Sequence, residues 1–318
     1  MYYPYFRGKQ NELILLRDNA QFIAVNNIHP IVEPVKKNLT ALKKAFKKLN
    51  ENNVNSTLII NPQVGDLAKE KKTLSKKILK DVFEEFQPSS LGYILHAGSD
   101  LDELGLILNK FGDFNFSLIH YGFSDSKELI EELNKHDNIE RHIFIDEFAG
   151  KLYKKQLKKD GIPRILIKDG FKKKKRNVDY PDSEHFSDLH ITFSDEGMDG
   201  FGDFLIVGDD YNETGGPAYA VAIHLTYIDE DKYDDMFIFH FKADQSKSPT
   251  NPGGKFLEAL YKLVRECKKQ DSKIFKSKAI NEYLSLYDRK HFPGLGYVKK
   301  LSMQHHLELI ADYIKSTD

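Results

Sequence analysis

The sequence predicts an α/β fold: a TIM-like (β/α)8 barrel carrying a C-terminal β-hairpin and a helical elaboration. Three observations lead there. Short apolar runs of strand length alternate with helical patterns from Tyr2 to Gly208, and such alternation implies parallel strands joined by right-handed crossovers. Eight such runs can be counted, the number that closes a barrel. No G-x-G-x-x-G follows the first run, which weakens the alternative of an open, dinucleotide-binding sheet.

Taken in order, Tyr2–Phe6 is an aromatic strand, Arg7-Gly8-Lys9-Gln10 a turn, and Glu12–Arg17 the start of a helix. Ile28–Val35 is the second strand, and its Pro30 and Pro34 belong near strand ends because proline cannot donate to a ladder. Asn38–Asn50 places Leu39, Leu42, Ala45, Phe46 and Leu49 on one helical stripe, with Asn38 as its cap. The rhythm continues with strands at Thr57–Asn61, Gly92–His96, Phe116–Tyr121, His142–Asp146 and Arg164–Lys168. Helices are expected between them at Leu74–Phe86, Ser99–Phe111, Ser124–His136 and near Lys151–Lys159. The stretch 169–202 breaks the pattern before an eighth strand at Asp203–Gly208.

Gly200–Tyr227 is the densest block of turn chemistry and buried-strand pattern. The run Phe204–Val207 suits a strand covered on both faces. Asp209 and Asp210 follow it, and Gly215-Gly216-Pro217 turns the chain sharply. In Ala218–Tyr227 the large residues Tyr219, Val221, Ile223, Leu225 and Tyr227 share one face, expected to be core. Met236–Lys242 pairs antiparallel with this strand, and helices at about 255–268, 278–287 and 303–314 complete the elaboration, expected to pack on the barrel. A division into 1–217 and 218–318, or one single domain, fits this pattern, with no low-complexity linker between the parts.

The 318 residues are ample for a core, and a formal charge of -1 gives no global argument for nucleic acid or an anionic membrane. A single cysteine, Cys267, excludes a disulfide framework within the chain. No signal-peptide core and no run of membrane-spanning length is present, so a cytoplasmic protein is expected.

The segments YYPYFRGKQNELILLR, IHPIVEPV, FGDFLIVGDDY, GGPAYAVAIHLTY, GGKFLEAL and HFPGLGYVKKLSMQHH together resemble the bacterial and phage "beta protein" group. The likeness is to its bacterial branch, encoded beside a small nuclease-like protein. That resemblance implies no catalytic residues, because the group has no assigned biochemical function. It implies a role in anti-phage defence or in mobile elements, with the nuclease-like protein as a partner.

In a (β/α)8 barrel chemistry sits at the C-terminal ends of the strands. Those ends carry Arg7 and Lys9, Glu33, Asn61, His96, His120 and Tyr121, Asp146 and Glu147, Lys168 and Asp169, and Asp209 and Asp210. Polar residues begin loops in any protein, and that bland reading accounts for much of the set. Read functionally, Glu33, Asp146, Asp169 and Asp209 offer oxygen ligands to a hard cation, Mg²⁺ or Mn²⁺. His96 and His120 offer acid–base groups, and Arg7 with Lys9 a phosphate-binding turn at a helix start, beside Lys168 and Asp210 on the same rim. Glu33, Asp146 and Asp209 are expected to converge.

Three further features have bland readings beside sharp ones. The cations Lys172–Arg176 fit a solvated loop, and no aromatic residue interleaves them to stack on bases. His305 and Glu308 fit packing as well as a shared ligand. His224, His240 and Lys242 form either a buried network or the wall of a site.

The expected function is therefore binding of, or metal-assisted hydrolysis at, a phosphorylated or nucleotide-like molecule. The alternative is a scaffold whose apolar edge at Phe237, Phe239 and Phe241 docks a partner or a second copy.

Overall fold

A computed structural model describes residues 1–68, 83, 86, 88–158, 161–213, 219–244 and 248–317. The chain forms two compact units. The first comprises Met1–Lys168 and Thr192–Asp203, the second Asp169–Ile191 and Phe204–Asp318. The boundary expected at 217/218 thus falls inside the second unit.

The first unit is a TIM-like barrel. Its strands are β1 (Tyr5–Phe6), β2 (Ile31–Val32), β3 (Thr57–Ile59), β4 (Ser90–His96), β5 (Phe116–Tyr121), β6 (Ile139–Ile145) and β7 (Arg164–Ile167). The chain then leaves to form β8 (Ser183–Ser187) of the second unit and returns with β9 (Gly200–Gly202). The sheet is parallel throughout in the order β1-β2-β3-β4-β5-β6-β7-β9. Tyr2 pairs with Phe201 to close it, and the Tyr3 and Tyr5 N–H groups donate to the Phe201 and Asp203 carbonyls at 2.8 and 2.9 Å. A Cβ added at Gly202 would lie 2.0 Å from the Tyr3 carbonyl oxygen, so the seam closes only on glycine.

Among the described residues, the helices of six residues or more in this unit are α1 (Gln10–Asp18), α2 (Ala20–Val25), α3 (Thr40–Glu51), α4 (Leu101–Lys110), α5 (Ser126–Leu133) and α6 (Lys151–Gln156). α3 buries the expected stripe of Leu42, Ala45, Phe46 and Leu49, while Asn38 accepts from Thr40 N–H at 3.0 Å one residue ahead of the cap position. The expected helix Leu74–Phe86 lies outside the described residues except at Phe83 and Phe86. Phe86 stacks on Phe46 of α3 with ring centroids 5.0 Å apart.

Strand alternation sorts the barrel interior into layers. The floor, at the N-terminal strand ends, is polar. Arg141 on β6 reaches across to His29, just before β2, and to Ser117, with Thr57 and Ser90 in the same network. Above it sit Ile59, Gly92 and Ile119, packed so closely that a Cβ at Gly92 would lie 2.8 Å from Ile59. The upper layer carries Arg7, Glu33, Asn61, His96 and Tyr121.

The eighth strand differs from expectation. It ends at Gly202, and the apolar run that follows is not a strand. Phe204, Leu205 and Ile206 are buried, but in a turn where Leu205 has a φ of 51° and Gly208 one of 73°. A continuous apolar run reports burial, and here the burial is of a turn rather than of a ladder.

The second unit holds a three-stranded antiparallel sheet in the order β10-β11-β8, with β10 at Ala222–Asp229 and β11 at Asp235–Lys242. Helices α7 (Pro252–Cys267), α8 (Lys278–Asp288) and α9 (Leu295–Thr317) complete it. Val221, Ile223 and Leu225 join Phe256, Leu260, Leu263, Tyr283 and Leu301 in one core, as the alternation predicts, whereas Tyr219 is exposed. The turn Gly215–Pro217 lies outside the described residues. β11 is the central strand, so Phe237, Phe239 and Phe241 do not form the edge that the docking alternative requires. The β10 edge is itself capped: His305 Nε2 on α9 donates to the Thr226 carbonyl at 2.9 Å.

Candidate functional site

The upper layer of the barrel is built from strand ends that alternation turns inward. Glu33 is fully buried at the end of β2 and fully engaged. Its Oε2 accepts from the Tyr5 hydroxyl at 2.7 Å and pairs with Arg7 Nη1, and its Oε1 accepts from the Gln63 N–H at 2.6 Å. Arg7 is itself buried and lies over the Tyr5 ring at 5.0 Å. Gly8 is required beside it: its φ is 59°, and a Cβ there would sit 2.8 Å from the Glu33 carbonyl oxygen. Arg7 and Glu33 are therefore brought together as an ion pair, not as a phosphate turn facing a separate metal ligand. Lys9 is half-buried at the cap position of α1.

Asn61 serves the ladder. Its amide accepts from Ile94 N–H at 2.8 Å and donates to the Ile94 carbonyl at 2.9 Å, extending the pairing of β3 with β4.

His96 and Tyr121 are register partners on β4 and β5 and point the same way. His96 Nδ1 accepts from Gly98 N–H at 3.0 Å, so the neutral ring carries its proton on Nε2. Tyr121 is half-buried and stacks on Phe148, with centroids 4.2 Å apart and planes 18° apart. Phe148 belongs to the short helical turn Asp146–Phe148 that follows β6, and it remains 41% exposed. Among the described residues of this rim, Phe148 is the large apolar side chain left substantially exposed, and it lies on the ring next in register to His96. Phe148 carries no ionisable group, which is why a search of strand ends for charge passes over it.

Other expected residues go elsewhere. His120 does not face the interior, because the period of two that turns Tyr121 inward turns His120 outward. Its Nδ1 lies 2.8 Å from the Tyr153 hydroxyl of α6 and its Nε2 2.9 Å from His142 Nδ1, stacked on Phe144. Burial, and then His142, hold its pKa well below the usual 6.5. Asp146 pairs with the buried Lys154 at 3.2 Å, which Glu196 also approaches at 3.7 Å, and Glu147 is exposed. Lys154 was not legible as a rim residue because it comes from α6 rather than from a strand end. Lys168 is half-buried just after β7, with its N–H on the Gly202 carbonyl at 3.1 Å.

Asp169, Asp209 and Asp210 belong to the second unit. Asp169 accepts from Phe171 N–H and Asp209 N–H at 2.9 and 2.8 Å, so it holds a loop. Asp210 is exposed and pairs with Lys173 at 2.7 Å. Asp209 lies beyond the Leu205 and Gly208 turns, not at the end of a barrel strand. Among the described residues no group of three or more His, Cys, Asp or Glu is placed to hold a metal ion. The quartet Glu33, Asp146, Asp169 and Asp209 therefore does not fit a Mg²⁺ or Mn²⁺ site; Glu33, Asp146 and Asp169 already carry the partners described above.

The remaining motifs resolve locally. In the basic run, Lys173, Lys174 and Arg176 pair with Asp210, Glu184 and Asp179. His305 bonds Ser277 at 2.8 Å, and Glu308 accepts from Ala279 N–H at 3.3 Å, so both tie α9 to α8. Burial pushes the half-buried Cys267 thiol up to about 11, which leaves it protonated at neutral pH. No described helix is long and apolar enough to cross a membrane. Comparison with known protein families and with curated proteins finds no match for this chain.

Proposed function

We propose that the barrel binds a small nucleotide-like molecule at its upper rim, with a planar ring on the Tyr121–Phe148 stack and an anionic group nearby. The observation that carries this reading is Phe148, stacked on Tyr121 yet 41% exposed. Base–aromatic stacking tolerates any base and is worth about 1–3 kcal/mol per base. His96, in register beside Tyr121 and held at Nδ1 by the Gly98 N–H, places a polar ring next to the stack. The buried Arg7–Glu33 pair belongs to the same layer of the barrel. The reading is one of binding; a hydrolysis step through a carboxylate-held metal is not part of it.

The resemblance to the beta protein group fits a ligand-sensing role in defence against mobile elements, with the nuclease-like neighbour as the responding partner. Saturation-transfer NMR with AMP, ATP and ribose 5-phosphate tests the proposal. Transfer to the purine protons of AMP and ATP, with none to ribose 5-phosphate, is the expected pattern. Transfer to none of the three from folded protein would remove it.

A further inference from the structure

The second unit contains a line of three titratable side chains across its sheet. Glu184 lies on β8, His240 on the central β11 and His224 on β10. His224 and His240 are direct cross-strand partners, with Nδ1 atoms 2.7 Å apart, and His240 Nε2 lies 3.2 Å from Glu184 Oε1. An ionised carboxylate only accepts, so His240 carries its proton on Nε2 and presents a bare Nδ1. Only one of the two facing Nδ1 atoms can hold the proton between them, so it belongs to His224. His224 Nε2 is then left with its lone pair. It makes no hydrogen bond to a described residue, and His224 as a whole is half-buried rather than closed off.

The surroundings shape this nitrogen into a site. The Tyr180 ring stacks on His240 at 4.5 Å and lies edge-on to His224 at 4.8 Å, and Phe171 stands edge-on to His224 at 5.1 Å. The loop bearing these rings is tied down, since Lys174 N–H donates to the Tyr180 hydroxyl at 3.1 Å and Lys242 Nζ donates to the Tyr180 carbonyl. Burial lowers both imidazoles, His240 to about 4; His240 and then Lys299 lower His224 further, and Lys242 and Lys174 lower His240 against an opposing Asp182, so the pair is neutral at pH 7, with three lysines and the carboxylates Glu184 and Asp182 around it.

We propose that His224, His240 and Glu184 form a proton-accepting site for a phosphate-bearing substrate, in which His224 Nε2 meets the attacking water. In the step, an O–H bond of water breaks and its proton passes to His224 Nε2. The electron pair stays on oxygen, which bonds to phosphorus as the ester P–O bond breaks and the leaving oxygen departs with its own pair. His224 then returns the proton to the leaving oxygen. His240 and Glu184 are positioning residues: they fix the His224 tautomer and oppose the charge it gains. The substrate phosphate supplies the counter-charge that burial withholds, so proton uptake is coupled to anion binding.

Two-bond ¹H–¹⁵N spectra of the full chain, labelled with [¹⁵N]histidine, read this directly and need no variant. At pH 7 His224 is expected with a bare Nε2 and His240 with a protonated one. Inorganic phosphate is expected to move His224 toward the imidazolium pattern and to protect it from diethyl pyrocarbonate, followed by mass spectrometry. In Glu184→Gln the phosphate response should weaken by about tenfold, the equivalent of losing about 1.4 kcal/mol of charge pairing. A His224 protonated on Nε2, or one indifferent to tens of millimolar phosphate, overturns the proposal. An unchanged phosphate response in Glu184→Gln removes the role assigned to Glu184.

Discussion

Arg141 Nη1 lies 3.0 Å from His29 Nε2, joining the sixth strand to the entrance of the second through the floor of the barrel. The contact makes a polar floor where (β/α)8 barrels usually pack branched aliphatic side chains. Arg141 also donates to Ser117 and lies 5.6 Å from the centre of the Tyr3 ring. Arg141→Met should therefore cost about 3 kcal/mol, since it leaves buried acceptors without their donor. Urea denaturation of the variant, read against wild type, measures it.

The buried histidines predict an acid-sensitive fold. Burial lowers His29, His120, His224 and His305, the last from 6.5 to about 4. A group depressed in the folded state is protonated first in the unfolded chain. Stability is then fully present above pH 6.5 and falls as pH drops toward the folded values. Each such group contributes up to about 1.4 kcal/mol per pH unit in that window. Denaturation midpoints should fall steeply between pH 7 and 5. A flat profile across that range contradicts the assignment of these rings as neutral and buried.

His120 separates the outer layer from the rim. His120→Phe should leave nucleotide binding unchanged while reducing the loss of stability between pH 7 and 5, because one depressed histidine is gone. Thermal melts at the two pH values, with a ligand titration at pH 7.5, check both halves.

The barrel seam gives a paired glycine test. Gly202→Ala drives a Cβ into the Tyr3 carbonyl and should cost about 3 kcal/mol or more, or prevent folding. Gly150→Ala, where a Cβ meets nothing within 4 Å, should be near neutral. Soluble yield and denaturation midpoint decide between them.

Much of the barrel was legible because strand and helix periods alternate cleanly from Tyr5 to Ile167. Two strands were not. β9 has three residues, two of them glycine, and reads as a turn, whereas Phe204–Val207 reads as a strand and is a buried turn. β8, SEHFS, is too polar to show a buried face. At the rim, strand ends named the right layer, but charge drew attention to carboxylates that serve as structural partners. Parity along β5 already assigns Tyr121 inward and His120 outward. Lys154, Tyr5 and Phe148 needed three dimensions, because the first two act on a residue distant in sequence and the third acts through an exposed ring.

Calorimetric titration of AMP into wild type and Phe148→Ala tests the rim site most directly. Wild type is expected to bind, and Phe148→Ala to bind more weakly by roughly fivefold or more, as the loss of about 1–3 kcal/mol of stacking requires. Equal affinities in the two proteins, or no heat of binding from folded wild type, would contradict it.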